Sequence, residues 1–154
     1  MIVALLSAKQ KVSHSFELVS SLPADDEILA HWARYLCVLT SGFIEVGVRQ
    51  ILSEYSRRKA AQEVARFATN RIEWLMNLNT EKIRGVLTCF NPDWCDSFDK
   101  KITDEQKDAI DSIVANRNNI VHGRPVGISY TVIKRYYEQA CGVLDWLHLQ
   151  ILES

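Results

Sequence analysis

Very little in this sequence points to a metal, a disulfide or a membrane. Among 154 residues there are four cysteines, Cys37, Cys89, Cys95 and Cys141. None forms a Cys-x-x-Cys pair or stands at zinc-finger spacing from a histidine, which argues against a structural zinc site. Their mostly apolar surroundings read as buried free thiols in a reducing compartment. With six Gly, three Pro, 47% hydrophobic and 24% charged residues, the composition is that of a compact chain rather than a disordered one. The opening run from Met1 to Leu6 is short and has no basic segment before it, and no apolar run approaches the ~20 residues of a membrane span. A cytoplasmic location is therefore expected. The formal charge of −1 gives no overall attraction to nucleic acid, so any such binding must come from local patches.

What the sequence has instead is helical periodicity. A single domain over residues 1–154 is expected, large enough to bury roughly two-thirds of the surface its unfolded form exposes. Leu5, Val12, Phe16 and Val19 predict a first helix over about 4–20. Pro23 closes it, and Asp25, Asp26 and Glu27 open a second, since acids favour a helix N-terminus. The apolar positions from Ile28 to Tyr55 carry this helix on for some 30 residues. Gly42 and Gly47 interrupt it, so either a neighbouring helix packs close there or the helix bends. Ser41, Glu45 and Arg49 fall on one line, which reads as an exposed salt-bridged row; the alternative is a buried polar face aimed at a site.

A third helix is predicted from about Val64 to Met76. After the break at Asn77-Leu78-Asn79, Thr80 is the candidate N-cap of a short helix to about Phe90. The stretch from Asn91 to Lys101 holds Pro92 and several Asp, and predicts an irregular loop pinned to the core by Trp94 and Phe98. Thr103-Asp104-Glu105-Gln106 fits a capping box and starts a further helix with an apolar stripe of Ala109, Ile110, Ile113, Val114 and Val121. Gly123 is placed to cap its end, and Pro125 prevents continuation. A last helix begins near Ser129. The whole reads as an all-α up-and-down bundle of five to six helices, with no strand alternation and no repeat.

Chemistry concentrates at the end of the penultimate helix, Asn116-Arg117-Asn118-Asn119-Ile120-Val121-His122-Gly123-Arg124-Pro125. From Ala115 to Tyr137 the cations Arg117, Arg124, Lys134 and Arg135 meet no acidic residue, a local balance of +4. A guanidinium offers a planar fork of donors to phosphate oxygens, and an imidazole titrating near ~6.5 can take and return a proton at neutral pH. That pair suits RNA cleavage by the neighbouring 2′-hydroxyl without a metal or other cofactor. In a straight helix, residues five apart differ by about 140° around the axis. Arg117 and His122 therefore converge only if the helix ends near His122 or a second copy supplies the missing half. A second basic cluster, Arg57-Arg58-Lys59 with Arg66 and Arg71, reads as solvated helix faces.

Arg117, Asn118 and His122, followed by one last helix and preceded by a long second one, resemble the HEPN superfamily. The text Arg-Asn-Asn-Ile-Val-His-Gly is most similar to its RiboL-PSP-like branch. The resemblance implies an all-α bundle and a metal-independent endoribonuclease of the kind used as toxins or in antiviral defence, commonly a homodimer whose two motifs face across a cleft. It also implies that Arg117 and His122 are catalytic and that Asn118 is the auxiliary polar residue of the motif. Glu45 is the candidate for the auxiliary side chain that some members add from the second helix. Local charge adds Arg124, Lys134 and Arg135, with Asn119, as contacts for the RNA backbone. The alternative the resemblance leaves open is a non-catalytic module binding nucleotide, RNA or a partner such as a nucleotidyltransferase antitoxin. His14, His31 and His148 fit no motif and read as packing or surface residues.

Overall fold

The computed structural model describes residues 2–23 and 25–153. Among these residues there are seven α-helices and no strand: α1 (Val3–Ser20), α2 (Asp26–Lys59), α3 (Gln62–Ile72), α4 (Thr80–Phe90), α5 (Pro92–Lys101), α6 (Asp104–Val121) and α7 (Tyr130–His148), the last running on as a π-helical turn over Leu149–Glu153. The count exceeds the expected five to six by α5.

α2 is the central element. Asp25 caps it by accepting from the Ile28 N–H at 2.9 Å, Asp26 and Glu27 fill its first turn, and Arg57, Arg58 and Lys59 fill its last. Both ends thus complement the helix dipole. Its buried face, including Ala33, Leu36, Cys37, Phe43, Ile44, Val48, Ile51 and Leu52, packs against α1, α3, α6 and α7. By length and composition α2 could cross a membrane, against the expectation that no segment would. However, 61% of its most apolar window is buried within the bundle, so its apolarity is taken up by the core. Each fully buried Leu or Ile there contributes roughly 1.5–3 kcal/mol. The two glycines of α2 differ. A Cβ on Gly47 would stand 2.6 Å from Leu144 of α7, so the close approach is real at Gly47, whereas Gly42 has nothing within 4 Å.

Leu5, Val12, Phe16 and Val19 of α1 are buried as their spacing predicts. Several expectations are corrected. The stretch 91–101 is a helix: the Asn91 side chain accepts the Asp93 N–H at 3.0 Å, and Pro92 sits in the first turn, where its missing N–H has no partner to lose. Trp94 and Phe98 do reach the core, but from one face of α5. The cap of α4 is Asn79, which accepts the Lys82 N–H at 2.9 Å, and Thr80 is the first helical residue. α3 stops at Ile72, earlier than expected, and Val64, Phe67, Met76 and Val121 are exposed rather than packed.

α6 begins with the capping box expected: the Gln106 N–H donates to Thr103 Oγ1 at 3.2 Å and the Thr103 N–H to Gln106 Oε1 at 3.0 Å. It ends in a Schellman turn. Gly123, at φ 67, donates to the Ile120 carbonyl at 3.1 Å, and the Arg124 N–H reaches back to the Asn119 carbonyl at 2.9 Å. A side chain at Gly123 would be strained by that left-handed backbone.

Candidate functional site

The Schellman turn makes His122 the residue that terminates α6. Its N–H donates to the Asn118 carbonyl at 3.2 Å, its φ and ψ are −93° and 10°, and its imidazole is exposed. No hydrogen bond or ion pair holds that ring among the described residues, so backbone alone fixes its position. The helix does end at His122, but its i−4 hydrogen bond keeps helical geometry as far as that residue, and no contact joins its side chain to Arg117 among the described residues.

Arg117 is held in the opposite way. Half-buried one and a half turns earlier, it donates from Nη1 to Asn77 Oδ1 at 3.0 Å and to Asn118 Oδ1 at 3.2 Å. Both acceptors are neutral amides. Other arginines sit on carboxylates: Arg49 on Glu45 at 3.4 Å, Arg58 on Glu54 at 2.7 Å, and Arg84 on Asp99 at 2.8 Å. Arg117 has no ion pair within 4 Å among the described residues, and neither has Arg124. Exposed Arg124 donates to Asn119 Oδ1 at 3.4 Å, again an amide. Two guanidiniums whose charge no carboxylate neutralises therefore lie on either side of His122 in the chain.

Asn77 carries the link to the rest of the fold, and nothing in the sequence pattern singles it out. It lies in the 73–79 loop between α3 and α4, its N–H donates to Glu45 Oε1 at 2.6 Å, and Arg49 donates from Nε to the Leu75 carbonyl at 2.8 Å. The row Ser41, Glu45 and Arg49 is consequently not exposed. Ser41 is buried and the Glu45 side chain is 17% exposed, because both charged groups turn inward to bond the loop. Glu45 reaches Arg117 through Asn77, not directly.

The other sequence-predicted residues stand apart. Lys134 lines a groove of about 230 Å³ between α1 and α7 together with Glu17 and Glu138, and the Arg135 guanidinium lies 5.7 Å from the Tyr136 ring. No hydrogen bond joins either cation to the motif. A second groove, of about 560 Å³, lies between α3, the 73–79 loop and α4, with Phe67, Trp74, Met76 and Lys82 among its walls and no motif residue. Of the remaining histidines, His14 and His31 are on the surface, and buried His148 faces Glu153 at 3.4 Å. No cluster of His, Cys, Asp and Glu among the described residues could hold a metal ion.

An all-α bundle with Arg-x4-His closing its penultimate α-helix is the architecture of a HEPN domain. The family model described as RiboL-PSP-HEPN matches residues 4–153, and the chain belongs to that family. No curated protein and no solved structure matches it.

Proposed function

We propose that this HEPN domain is a metal-independent endoribonuclease acting as a homodimer. One observation carries the reading: Arg117 and Arg124, on either side of His122 in the chain, are anchored only by amides, so their charge is left for an anion. A phosphodiester is the anion whose cleavage an adjacent imidazole can assist. In the reaction, the 2′-oxygen of a ribose forms a bond to phosphorus and its proton leaves to an imidazole. The bond to the 5′-oxygen breaks, that oxygen takes up a proton, and the products carry a 2′,3′-cyclic phosphate and a 5′-hydroxyl. His122 serves as the acid or the base, and Arg117 holds the charge that grows on the non-bridging oxygens. A second protomer supplies the facing motif, which gives one histidine for each proton transfer. Arg124 and Asn119 contact the backbone, as do Lys134 and Arg135 where the strand runs on. Membership of the family supports a role in toxin or antiviral systems.

Purified protein should cut single-stranded RNA in excess chelator. His122→Ala should lower the rate by ~10²–10⁴, the range of lost acid–base catalysis. A single 2′-deoxy substitution at the cut site should abolish cleavage there. Cleavage that needs a divalent cation, or that survives His122→Ala, refutes the assignment. A second reading, a module that binds RNA or a partner protein without cutting, is favoured by the absence, among the described residues, of any side chain orienting the His122 ring. RNA bound but left intact by the wild-type dimer would establish it.

A further inference from the structure

We infer that Asn77 is the positioning residue of this site: its left-handed backbone and its Oδ1 together aim the Arg117 guanidinium at the phosphate. The kinetic consequence rests on the ribonuclease reading, while the geometry does not.

Asn77 has φ 52 and is the only non-glycine residue with positive φ among those described. Asn enters this region more readily than most side chains, because its short amide bonds locally. The conformation is held from within the loop, where the Asn79 N–H donates to the Asn77 carbonyl at 2.9 Å, and from outside it. Glu45 Oε1 takes the Asn77 N–H, Arg49 donates from Nε and Nη2 to the Leu75 carbonyl, and Leu78 is 1% exposed in the core. With the chain gripped on both sides, the Asn77 side chain accepts from Arg117 Nη1 at 3.0 Å. Asn118 Oδ1 takes the same nitrogen. The two amides thus engage one corner of the guanidinium, and no acceptor among the described residues takes Nη2 or Nε. Those donors can form a fork to two phosphate oxygens.

The residue type follows from three requirements. Glycine would accept the backbone angle but has no acceptor. Aspartate would keep both but add a charge beside Arg117. A longer or branched side chain would strain the loop. A residue that merely shapes the loop would be replaceable by glycine, and this separates the two roles.

The test uses the full chain and two variants. In ¹⁵N relaxation measurements on the Arg117 Nε–H, Asn77→Gly should raise the guanidinium's mobility towards that of an exposed arginine such as Arg66, with Asn118 alone left to hold Nη1, and Asn77→Asp should keep it rigid. On a single-stranded oligoribonucleotide, Asn77→Gly should lower kcat by about tenfold to ~10²-fold with little change in KM, because a misplaced group costs rate rather than binding. Asn77→Asp should recover only part of kcat and should raise KM, since its carboxylate holds the guanidinium in place but offsets part of the charge the phosphate needs. Arg117 left rigid by Asn77→Gly, or a kcat unaffected by it, overturns the inference. If the wild-type protein cuts no RNA, the ribonuclease reading fails, and the relaxation measurement still decides whether Asn77 positions Arg117.

Discussion

Two glycines five residues apart in α2 should respond to the same substitution with opposite signs. Gly42→Ala adds a methyl that meets nothing within 4 Å, so the helix-propensity gain of about 1 kcal/mol is realised in full. Gly47→Ala gains the same but places its Cβ 2.6 and 2.8 Å from the two methyls of Leu144 and 3.2 Å from its Cγ. Leu144 is 1% exposed, so it cannot swing into solvent, and overpacking of this kind costs about 1–3 kcal/mol. The net is a loss of about 1 kcal/mol. The two variants should then differ by about 2 kcal/mol, or roughly 4–8 °C in Tm for a chain of this size. Thermal melts by circular dichroism and urea titrations at one protein concentration measure both. Adding Leu144→Val to Gly47→Ala should recover part of the loss, as a favourable coupling of about 0.5–1 kcal/mol in the double-mutant cycle. If Gly47→Ala is as stable as Gly42→Ala, or the double variant is simply additive, the close α2–α7 contact is not what requires glycine at 47.

The thiols make a second prediction. Burial pushes Cys37 up to about 12 from an ordinary 9.0, and its Sγ faces the Ile113 carbonyl at 3.6 Å, whereas Cys89 is exposed. At pH 8 a disulfide reagent should label Cys89 quickly and Cys37 only on unfolding; fast labelling of Cys37 in the native protein would contradict its burial. Because the folded value lies above the unfolded one, the contribution of Cys37 to stability is complete below about pH 9 and is lost as pH rises towards 12. At the acid end, the bidentate hydrogen bonds from Arg84, each 2.8 Å, and then its charge hold the Asp99 carboxyl below its usual range. That contribution is present above the ordinary carboxylate value near ~3.9 and disappears as pH falls through the depressed one. Asp99→Asn should lower Tm by no more than about 2 °C at pH 7, with the difference closing in acid. A difference that stays constant from pH 7 to pH 3 would exclude the ion pair as its cause.

Local signals proved the most legible. The two ends of α6 were readable because a capping box and a Schellman glycine are written in neighbouring residues, Thr103 with Gln106 and His122 with Gly123. Pro92 misled because proline at a first helical position and proline in a loop look alike until the Asn91 cap is seen. Periodicity correctly placed Val64 and Phe67 on a helix, but it cannot say what, if anything, covers the face they share, and both are exposed. The Arg117 and His122 motif was visible in the sequence, whereas Asn77 was not. It lies 40 residues from Arg117, and its importance comes from a loop conformation imposed by Glu45 and Arg49 on a different helix. The polar line of α2 was seen and given the wrong direction, since spacing reports a shared face but not its burial.

The choice of amides over carboxylates around this site has an electrostatic reason. A helix C-terminus carries roughly half a negative charge, so the end of α6 repels a phosphate and would destabilise one by about 0.3–1 kcal/mol. An anion can be held there only if nearby cations outweigh that field. A carboxylate anchoring Arg117 would fix its geometry equally well but cancel the charge needed, as Glu45 does for Arg49 and Asp99 for Arg84. Asn77, Asn118 and Asn119 orient two guanidiniums at no cost in charge. The carboxylate of Glu45 is close by but is committed to Arg49 and to the Asn77 N–H, so it braces the loop without forming an ion pair with Arg117. The arrangement therefore delivers rigidity from an acid in α2 while keeping the acid's charge one residue removed from Arg117. The His122 ring itself carries no hydrogen bond or ion pair among the described residues.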